Sequence, residues 1–504
     1  VDHALMSIHA RGIRYADLHP ANLLIRPDGQ VVLVDFEIAT ELDDERPIAM
    51  AAPGFAAPPG LSGRAADAYV MNCLRQWVFL PISPLTDRDP AKLASLTRVI
   101  TDHFPVPASF GPRMIGQFSA GRSLGEDQFV EMFAQPDWPT IRDSLVAGVL
   151  QSATPDREDR LFPGDPALYA SGGFTVAHGA AGVLWALHQV GATVADEHVD
   201  WLTAAARRAS QPRPGLLDGL HGVALVQEVL GRRDDALATL ERACEFHDGM
   251  VIPGIHSGLA GAGLSLLHFA ELTGADPLRA QAVELGHRLA AQLDDSQSPL
   301  SAADRNLGLQ HGLTGVALYF LRLHDTTGEP RYLDLAHQAL QREIEHGQFL
   351  PDGTFQLLEA NRYVAYLGTG SIGLALALSQ YQQRRPEPAF DAVIDGARRA
   401  CRAPFVRHPF LFMGRAGTIA ALHQLGHPDD RALVGDHIRR LGWHALPFRG
   451  HLAFPGNQLL RLSMDLATGA AGVLVALGVA FNQNASVIPH LDLRSAMVEG
   501  SGRR

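Results

Sequence analysis

Three oxygen-bearing side chains at close spacing suggest the first chemistry in this chain: Asp17, Asn22 and Asp35. Asp17 and Asn22 lie five residues apart in Tyr15-Ala-Asp-Leu-His-Pro-Ala-Asn22, and Asp35 ends the run Val31-Val-Leu-Val-Asp35. Residues 23–26 and 31–34 are aliphatic or β-branched runs, and Pro27-Asp-Gly-Gln30 between them is a turn sequence, so the segment predicts a hairpin. That hairpin carries Asn22, ahead of its first strand, close to Asp35, beyond its second. Such a pair of oxygen ligands suits an Mg²⁺ ion bridging nucleotide phosphates, and Asp17 stands where its carboxylate can orient and deprotonate an attacking hydroxyl. The expectation is phosphoryl transfer from ATP or GTP with Mg²⁺, with Asp17 catalytic and Asn22 and Asp35 binding the metal and cofactor.

A second set of candidates is histidine-rich. His178, His221, His256 and His311 sit in or beside copies of a Gly-x-x-Gly motif that opens an apolar run. Histidine moves protons near neutral pH. Asp218, Tyr363 and Tyr366 lie near neighbouring copies and join the list. A His, Asp, Ser or Thr just ahead of a helix also serves as a plain cap, so both roles stay open at this point.

The elements that must hold these groups follow from the repeats. The motif occurs seven times, starting at Gly179, Gly219, Gly258, Gly312, Gly370, Gly414 and Gly469, which leaves room for two helices per unit. The glycine-led runs are apolar nearly all round. The stretches between them, such as residues 331–346, 391–402 and 429–441, place apolar residues three and four apart and predict helices with one wet face. A closed ring with apolar helices inside and amphipathic ones outside satisfies both, with an open solenoid as the alternative. The glycines would let the helix starts approach one another and direct N–H groups toward one end of the ring. Residues 136–172 are rich in Pro, Asp and Gly, and the domain boundary is expected near 150. The expected fold is mainly α: an α+β domain over 1–150, an α/α toroid of seven helical pairs over 151–490, and a C-terminal tail over 491–504.

Composition narrows the classes. A formal charge of −12 without a compensating basic stretch argues against a nucleic-acid partner. Cys73, Cys244 and Cys401 form no Cys-x-x-Cys pair and read as reduced cytoplasmic thiols. No signal peptide is evident. Residues 466–490 carry no Asp, Glu, Lys or Arg, yet the glycine pattern there matches the other six copies, so a buried helix is expected and no membrane partner. Helical periodicity already runs at Val1, which suggests that something precedes it. The charged run at residues 41–46 reads as a solvated loop.

The first constellation resembles the kinase catalytic loop and its metal-binding Asp-Phe-Gly. Tyr15 and Ala16 replace the usual His and Arg, His19 the common Lys, and Glu37 the Gly. Losing the Arg removes the usual receiver of an activation-loop phosphate. Asp-Phe-Glu also occurs in small-molecule kinases. Gly54-Phe-Ala-Ala-Pro-Pro59 is similar to the end of an activation segment, and Asp67 to the buried Asp of the long helix that follows, with a helix cap as its plainer role. No glycine-rich nucleotide loop precedes these residues, so this C-lobe alone is not expected to be a competent kinase.

A kinase-like domain followed by a Gly-x-x-Gly helical toroid resembles the class III lanthipeptide synthetases along essentially the whole chain. That resemblance implies phosphorylation of Ser and Thr in a ribosomally made precursor peptide held by its leader, elimination to dehydroamino acids, and addition of Cys thiols. Zinc-using relatives of the cyclase carry two cysteines and a histidine in the fifth and sixth motifs. Gly368, Phe412 and Met413 stand at those positions, so no zinc is expected. His311 matches the fourth-motif histidine of the cyclase family and is the first candidate for proton transfer. Two other readings remain: a toroid that binds peptide without catalysis, and a small-molecule phosphotransferase with a helical appendage.

Overall fold

Apolar alanine, leucine and valine runs wind into helices wherever a glycine pair precedes them, and the protein is mainly helical. The computed structural model describes residues 1–44, 46, 50–119, 123–295, 307–481, 486–489, 491 and 493. The tail expected over 491–504 lies outside the described residues apart from 491 and 493. The chain divides into two compact units: Val1–Ala134 with Gly442–Pro447 and Gln458–Arg461, and Gln135–Leu441 with Phe448–Asn457 and Leu462–Arg504.

The first unit opens with helix Asp2–His9 and a short strand, Ile13–Arg14, that pairs antiparallel with Thr40–Glu41. The charged run at 41–46 therefore begins as strand. The expected hairpin joins Leu23–Ile25 to Val31–Leu33, with Leu23 opposite Leu33 and Ile25 opposite Val31. Among the described residues the helices Gly63–Phe79, Ala91–His103 and Phe110–Ser119 follow, each of ten or more residues, and then the shorter Gln128–Ala134.

In the second unit the helices behind the glycine motifs are Ala180–Gln189, Leu220–Val229, Leu259–Thr273, Leu313–Thr327, Ser371–Gln382, Arg415–Leu425 and Ala470–Phe481. Each packs on the next, and the last packs on the first. The second glycine of each motif explains how closely they approach. A Cβ on Gly182 would lie 2.9 Å from Leu466 Cβ, and one on Gly472 would lie 2.9 Å from Leu411 Cβ. The same relation, second glycine against an aliphatic side chain of the preceding motif, runs through Gly222, Gly261, Gly315, Gly373 and Gly417. Several of these helices end on a glycine in the left-handed conformation, as at Gly274, Gly328 and Gly426, which turns the chain outward.

Amphipathic helices pack against six of these seven: Asp196–Arg208, Arg233–Cys244, Asp276–Asp294, Arg331–Glu345, Pro388–Ala400 and Arg431–Leu441. Asp196 and Glu197 start the first of them and Arg207 and Arg208 end it, matching the helix dipole. The partner of the seventh, Ala470–Phe481, comes from earlier in the chain: helix Trp138–Gln151. Trp138 stacks on Phe481 with ring centroids 5.6 Å apart, and Ser144 Oγ accepts from Leu452 N at 2.9 Å. This pairing places the division at Ala134/Gln135 rather than near 150, because the Pro/Asp-rich composition after the helix marks a loop within the second unit.

Among the described residues no helix is long and apolar enough to cross a membrane. The apolar run after Gly469 forms the twelve-residue helix Ala470–Phe481.

Candidate functional site

In the first unit the hairpin and the loop before it converge as expected. Asn22 is buried and its Nδ2 donates to Asp17 Oδ2 at 2.7 Å and to Asp17 O at 3.1 Å. Val34 N donates to Asn22 O at 3.1 Å, tying the residue before Asp35 to Asn22. Tyr15 lies beneath them, fully buried, with its hydroxyl donating to Val34 O. Burial, and then the negative charges of Asp17 and Asp35, push the Tyr15 phenol up to about 12. The two carboxylates thus flank one buried hydroxyl. Asp35 and Ala16 both have left-handed backbone, with φ of 61° and 71°. Two non-glycine residues in this region, one on each side of the hairpin, mark held strain, a common property of working sites.

What holds the loop is Asp67. Ser62 occupies the cap position of helix Gly63–Phe79, and Asp67 lies a turn inside it. Its buried carboxylate accepts from Tyr15 N at 2.9 Å, Ala16 N at 3.2 Å and His9 Nε2 at 2.9 Å. It fixes the backbone immediately before Asp17 and does not cap its own helix. His19 Nε2 stands 3.6 Å from Asp17 Oδ2 and packs near Phe55. The Gly54–Pro59 segment is anchored by Gly54 N donating to Asp87 Oδ2 at 2.6 Å.

In the second unit, backbone hydrogen bonds link residues two positions before successive leading glycines. Ala177 N donates to Leu217 O at 2.7 Å, Leu217 N to His256 O at 2.9 Å, His256 N to Gln310 O at 2.9 Å, Gln310 N to Gly368 O at 3.0 Å, and Gly368 N to Phe412 O at 2.7 Å. Ala467 N donates to Ala177 O at 2.9 Å, joining the last motif to the first. The residue just before each leading glycine therefore sits on a shared end of the helix array.

Four of the sequence candidates gather there. His256 and His311 pack against each other with ring centroids 4.8 Å apart and the rings tilted by 36°. Asp218 accepts from Ser257 Oγ at 2.7 Å and Arg213 at 3.3 Å, while its Oδ1 is buried without a partner. Burial raises the Asp218 carboxyl despite those donors. Burial lowers the His311 imidazole, with Asp218 opposing. His256 is pushed down to about 3 by burial and then by the positive fields of His311, His178 and Arg213. His178 moves the other way: burial alone would lower it, but Asp465, together with Asp165 and Asp218, raises it.

The remaining candidates lie elsewhere. His221 is fully buried inside its helix packing, with Nε2 2.9 Å from His247 Nε2 and the rings stacked. It sits two residues past its leading glycine, where a helix has already turned inward, so it belongs to the core and not to the motif end. Tyr363 is exposed on strand Arg362–Val364 of a three-stranded sheet, and its hydroxyl accepts from Gln348. The motif periodicity predicts only helical pairs here, so this sheet departs from the expectation. Tyr366 is half-buried beside Arg362 and Arg407, where burial raises its phenol against both cations. Gly368 is buried among neighbours: a Cβ there would overlap Gln310 Oε1 and lie 2.9 Å from Phe412 Cβ. Phe412 is buried and Met413 is 40% exposed.

Two residues outside the sequence candidates hold this region. Asp465, wholly buried, accepts from Asp165 N at 2.7 Å, Ser463 Oγ at 2.7 Å and Thr468 N at 2.6 Å, and faces His178 Nδ1 at 3.8 Å. Aligning the seven motifs would have exposed it, because it is the only carboxylate four residues before a leading glycine. Glu343 reaches in from helix Arg331–Glu345 to accept from Gly308 N and, at 3.0 Å, from Thr314 N, fixing the segment that carries Gln310 and His311. Its sequence setting is an ordinary amphipathic helix, which gives no sign of this.

The chain is 35% identical over 541 aligned positions to a probable SapB synthase of Streptomyces coelicolor, covering 97% of this chain and 58% of that protein. It thus spans little more than half the length of that curated relative. Among solved structures, nisin cyclase aligns over 70% of this chain and 94% of its own, with 12% identity and a TM-score of 0.49. The Lin0763 protein from Listeria innocua aligns over 69% and 97%, with 10% identity and a TM-score of 0.40. Residues 170–349, which hold the first four glycine motifs with His178, Asp218, His256 and His311, match the lanthionine synthetase C-like protein family.

Proposed function

We propose that this chain serves lanthipeptide biosynthesis in the manner of a class III synthetase, acting on a ribosomally made precursor peptide held by its leader in the cytoplasm. In this reading the first unit is the C-terminal lobe of a kinase-like domain that phosphorylates Ser and Thr. The second is an α/α toroid of seven helical pairs that closes thioether rings without zinc. The lanthionine synthetase C-like match and the likeness to a probable synthase support it. The observation that carries it is the gathering of His178, Asp218, His256 and His311 at one end of a cyclic array of helix starts.

In the first unit Asp17 would accept the proton of the peptide hydroxyl, with Asn22 Nδ2 holding its carboxylate in place. Asn22 and Asp35 fit Mg²⁺. The nitrogen end of the Asn22 amide is committed to Asp17, which leaves its oxygen for a hard cation, and the Asp35 carboxylate is exposed at the end of the same hairpin. Bound there with ATP or GTP, the ion would neutralise charge on the transferred phosphoryl group.

Zinc does not fit at Gly368, Phe412 and Met413. Glycine and phenylalanine offer no donor atom, and Gln310 fills the space a ligand side chain at 368 would need. Thiol addition then depends on acid–base groups. His311, kept neutral by burial, would take the proton from a Cys thiol, and the sulfur would add to the β-carbon of a dehydroamino acid. His256, tilted against it and uncharged near neutral pH, packs on its ring.

The test incubates the full chain with a synthetic, pre-dehydrated, Cys-containing peptide and follows free thiol. Loss above the uncatalysed rate is expected, falling by about 10²-fold or more in His311→Asn. No acceleration by the parent chain overturns the cyclase reading and favours a toroid that only binds peptide.

A further inference from the structure

We propose that His178, oriented by the buried carboxylate of Asp465 where the last motif meets the first, delivers the proton to the substrate α-carbon in the cyclisation step; Asp465 is its positioning residue. This rests on the cyclase reading above and adds the acid that reading lacks.

The geometry is a histidine–carboxylate pair built from opposite ends of the second unit's chain. His178 immediately precedes the first leading glycine, and Asp465 lies four residues before the last. The bond from Ala467 N to Ala177 O holds the two segments side by side. Asp465 cannot turn away. Asp165 N, Ser463 Oγ and Thr468 N fix its oxygens, and Thr468 Oγ1 adds bonds at 3.1 Å. Its side chain is 1% exposed whereas that of His178 is 21% exposed. The Nδ1 of His178 is buried 3.8 Å from Asp465 Oδ2, within ion-pair reach but without a direct hydrogen bond, and the accessible edge of the ring is the Nε2 edge. A carboxylate behind Nδ1 and an open Nε2 is the arrangement that presents an acidic N–H to a ligand.

The charged surroundings suit an acid at this position and a base at His311. Asp465, Asp165 and Asp218 all favour the imidazolium of His178, and the nearby His256 carries no charge near neutral pH to oppose it. His311 is biased the other way by burial. Two groups pushed in opposite directions are what an acid and a base working in one step require.

The step balances. The thiol proton passes to His311 as the S–Cβ bond forms. The Cα=Cβ π pair moves onto Cα and its carbonyl as an enolate. The N–H bond at Nε2 of His178 then breaks and a Cα–H bond forms. His311 is left cationic and His178 neutral, one proton returned through solvent restores both, and no electron is gained or lost.

The experiment uses the full chain and the pre-dehydrated peptide, reading rate against pH and the configuration at the new α-carbon. The parent is expected to give one configuration and a rate that declines on the alkaline side as His178 loses its proton. His178→Asn should slow cyclisation by about 10²-fold, yield both configurations, and remove the alkaline decline while keeping the acid limb set by His311. Asp465→Asn should move the alkaline decline to lower pH, an effect that mere loosening of the fold does not produce. His178→Asn decides the matter by itself, since its ring is partly exposed and holds up little else. A parent that does not accelerate cyclisation overturns the cyclase reading and this assignment together. A parent that does, beside a His178→Asn variant with unchanged rate, one configuration and both pH limbs, overturns this assignment alone.

Discussion

Replacing Gly182 by alanine tests whether the helix array closes on itself through close approach. Gly182 lies inside helix Ala180–Gln189, where alanine ordinarily stabilises by about 1 kcal/mol over glycine. Here the added Cβ would overlap the Val176 carbonyl oxygen and lie 2.9 Å from Leu466 Cβ. Backbone oxygen cannot yield as a flexible side chain can, so the 175–177 segment or the whole helix must move. Overpacking of this kind costs about 1–3 kcal/mol. Displacing Ala177 also endangers its bonds to Leu217 and Ala467, at about 1 kcal/mol each. The net expectation is a loss of about 2–4 kcal/mol. Gly435 supplies the control: it lies in helix Arg431–Leu441, and a Cβ there would meet only the end of Arg439, at 3.6 Å. Gly435→Ala should therefore gain up to about 1 kcal/mol by propensity alone. Thermal unfolding of the full chain, followed by circular dichroism and by the fluorescence of buried Trp185 on the same helix, reads both. At roughly 2 °C per kcal/mol for a unit this large, Gly182→Ala should melt about 4–8 °C lower and Gly435→Ala no lower than the parent. Equal melting of the two variants would refute the closure of first motif on last.

Three further outcomes follow from single interactions. Asp67→Ala leaves the Tyr15 and Ala16 amides without their acceptor, at a cost of about 3–5 kcal/mol locally; hydrogen exchange should show protection lost at those two amides and kept in the 23–33 hairpin. Burial pushes the Glu343 carboxyl from 4.5 up to about 7 against the backbone N–H groups of Gly308, Thr314 and Leu313. Its folded pKa is the higher one, so its contribution is full below about pH 4.5 and is lost as pH rises through about 7, on the order of 3 kcal/mol in all. Melting temperature against pH should show that dependence in the parent and not in Glu343→Gln; parallel curves would sink the assignment. Burial pushes the Cys401 thiol up to about 12 and Cys244 up to about 11, and raises Cys73 as well. Iodoacetamide at pH 8 should therefore label none of the three in the native chain within the time it takes to label all of them in urea.

The legible part of this molecule is the part encoded by local chemistry. Asn22 and the residue before Asp35 lie side by side because a turn sequence between two aliphatic runs forms a hairpin. The glycine motifs are legible for a related reason: close packing of helix starts needs a missing side chain at the same two positions every time, so the repeat carries the contact. His221 shows where that logic stops. It shares the motif's sequence neighbourhood with His256 and His311, yet its position past the leading glycine turns it into the core against His247, and only helical phase separates the two outcomes. Sequence proximity to Gly370 points Tyr363 to the same end, but the strands from Gly347 to Val364 carry it to an exposed face. Glu343 lies beyond local reading altogether, and Asp465 stands out in the motif alignment without its role being legible. Each is one acidic residue among many, and each matters because a segment roughly 300 residues away in one case, and 35 in the other, brings an orphan backbone N–H to it. A carboxylate acquires such a role from tertiary closure, so the groups that position the histidines emerge only once the helix array is closed.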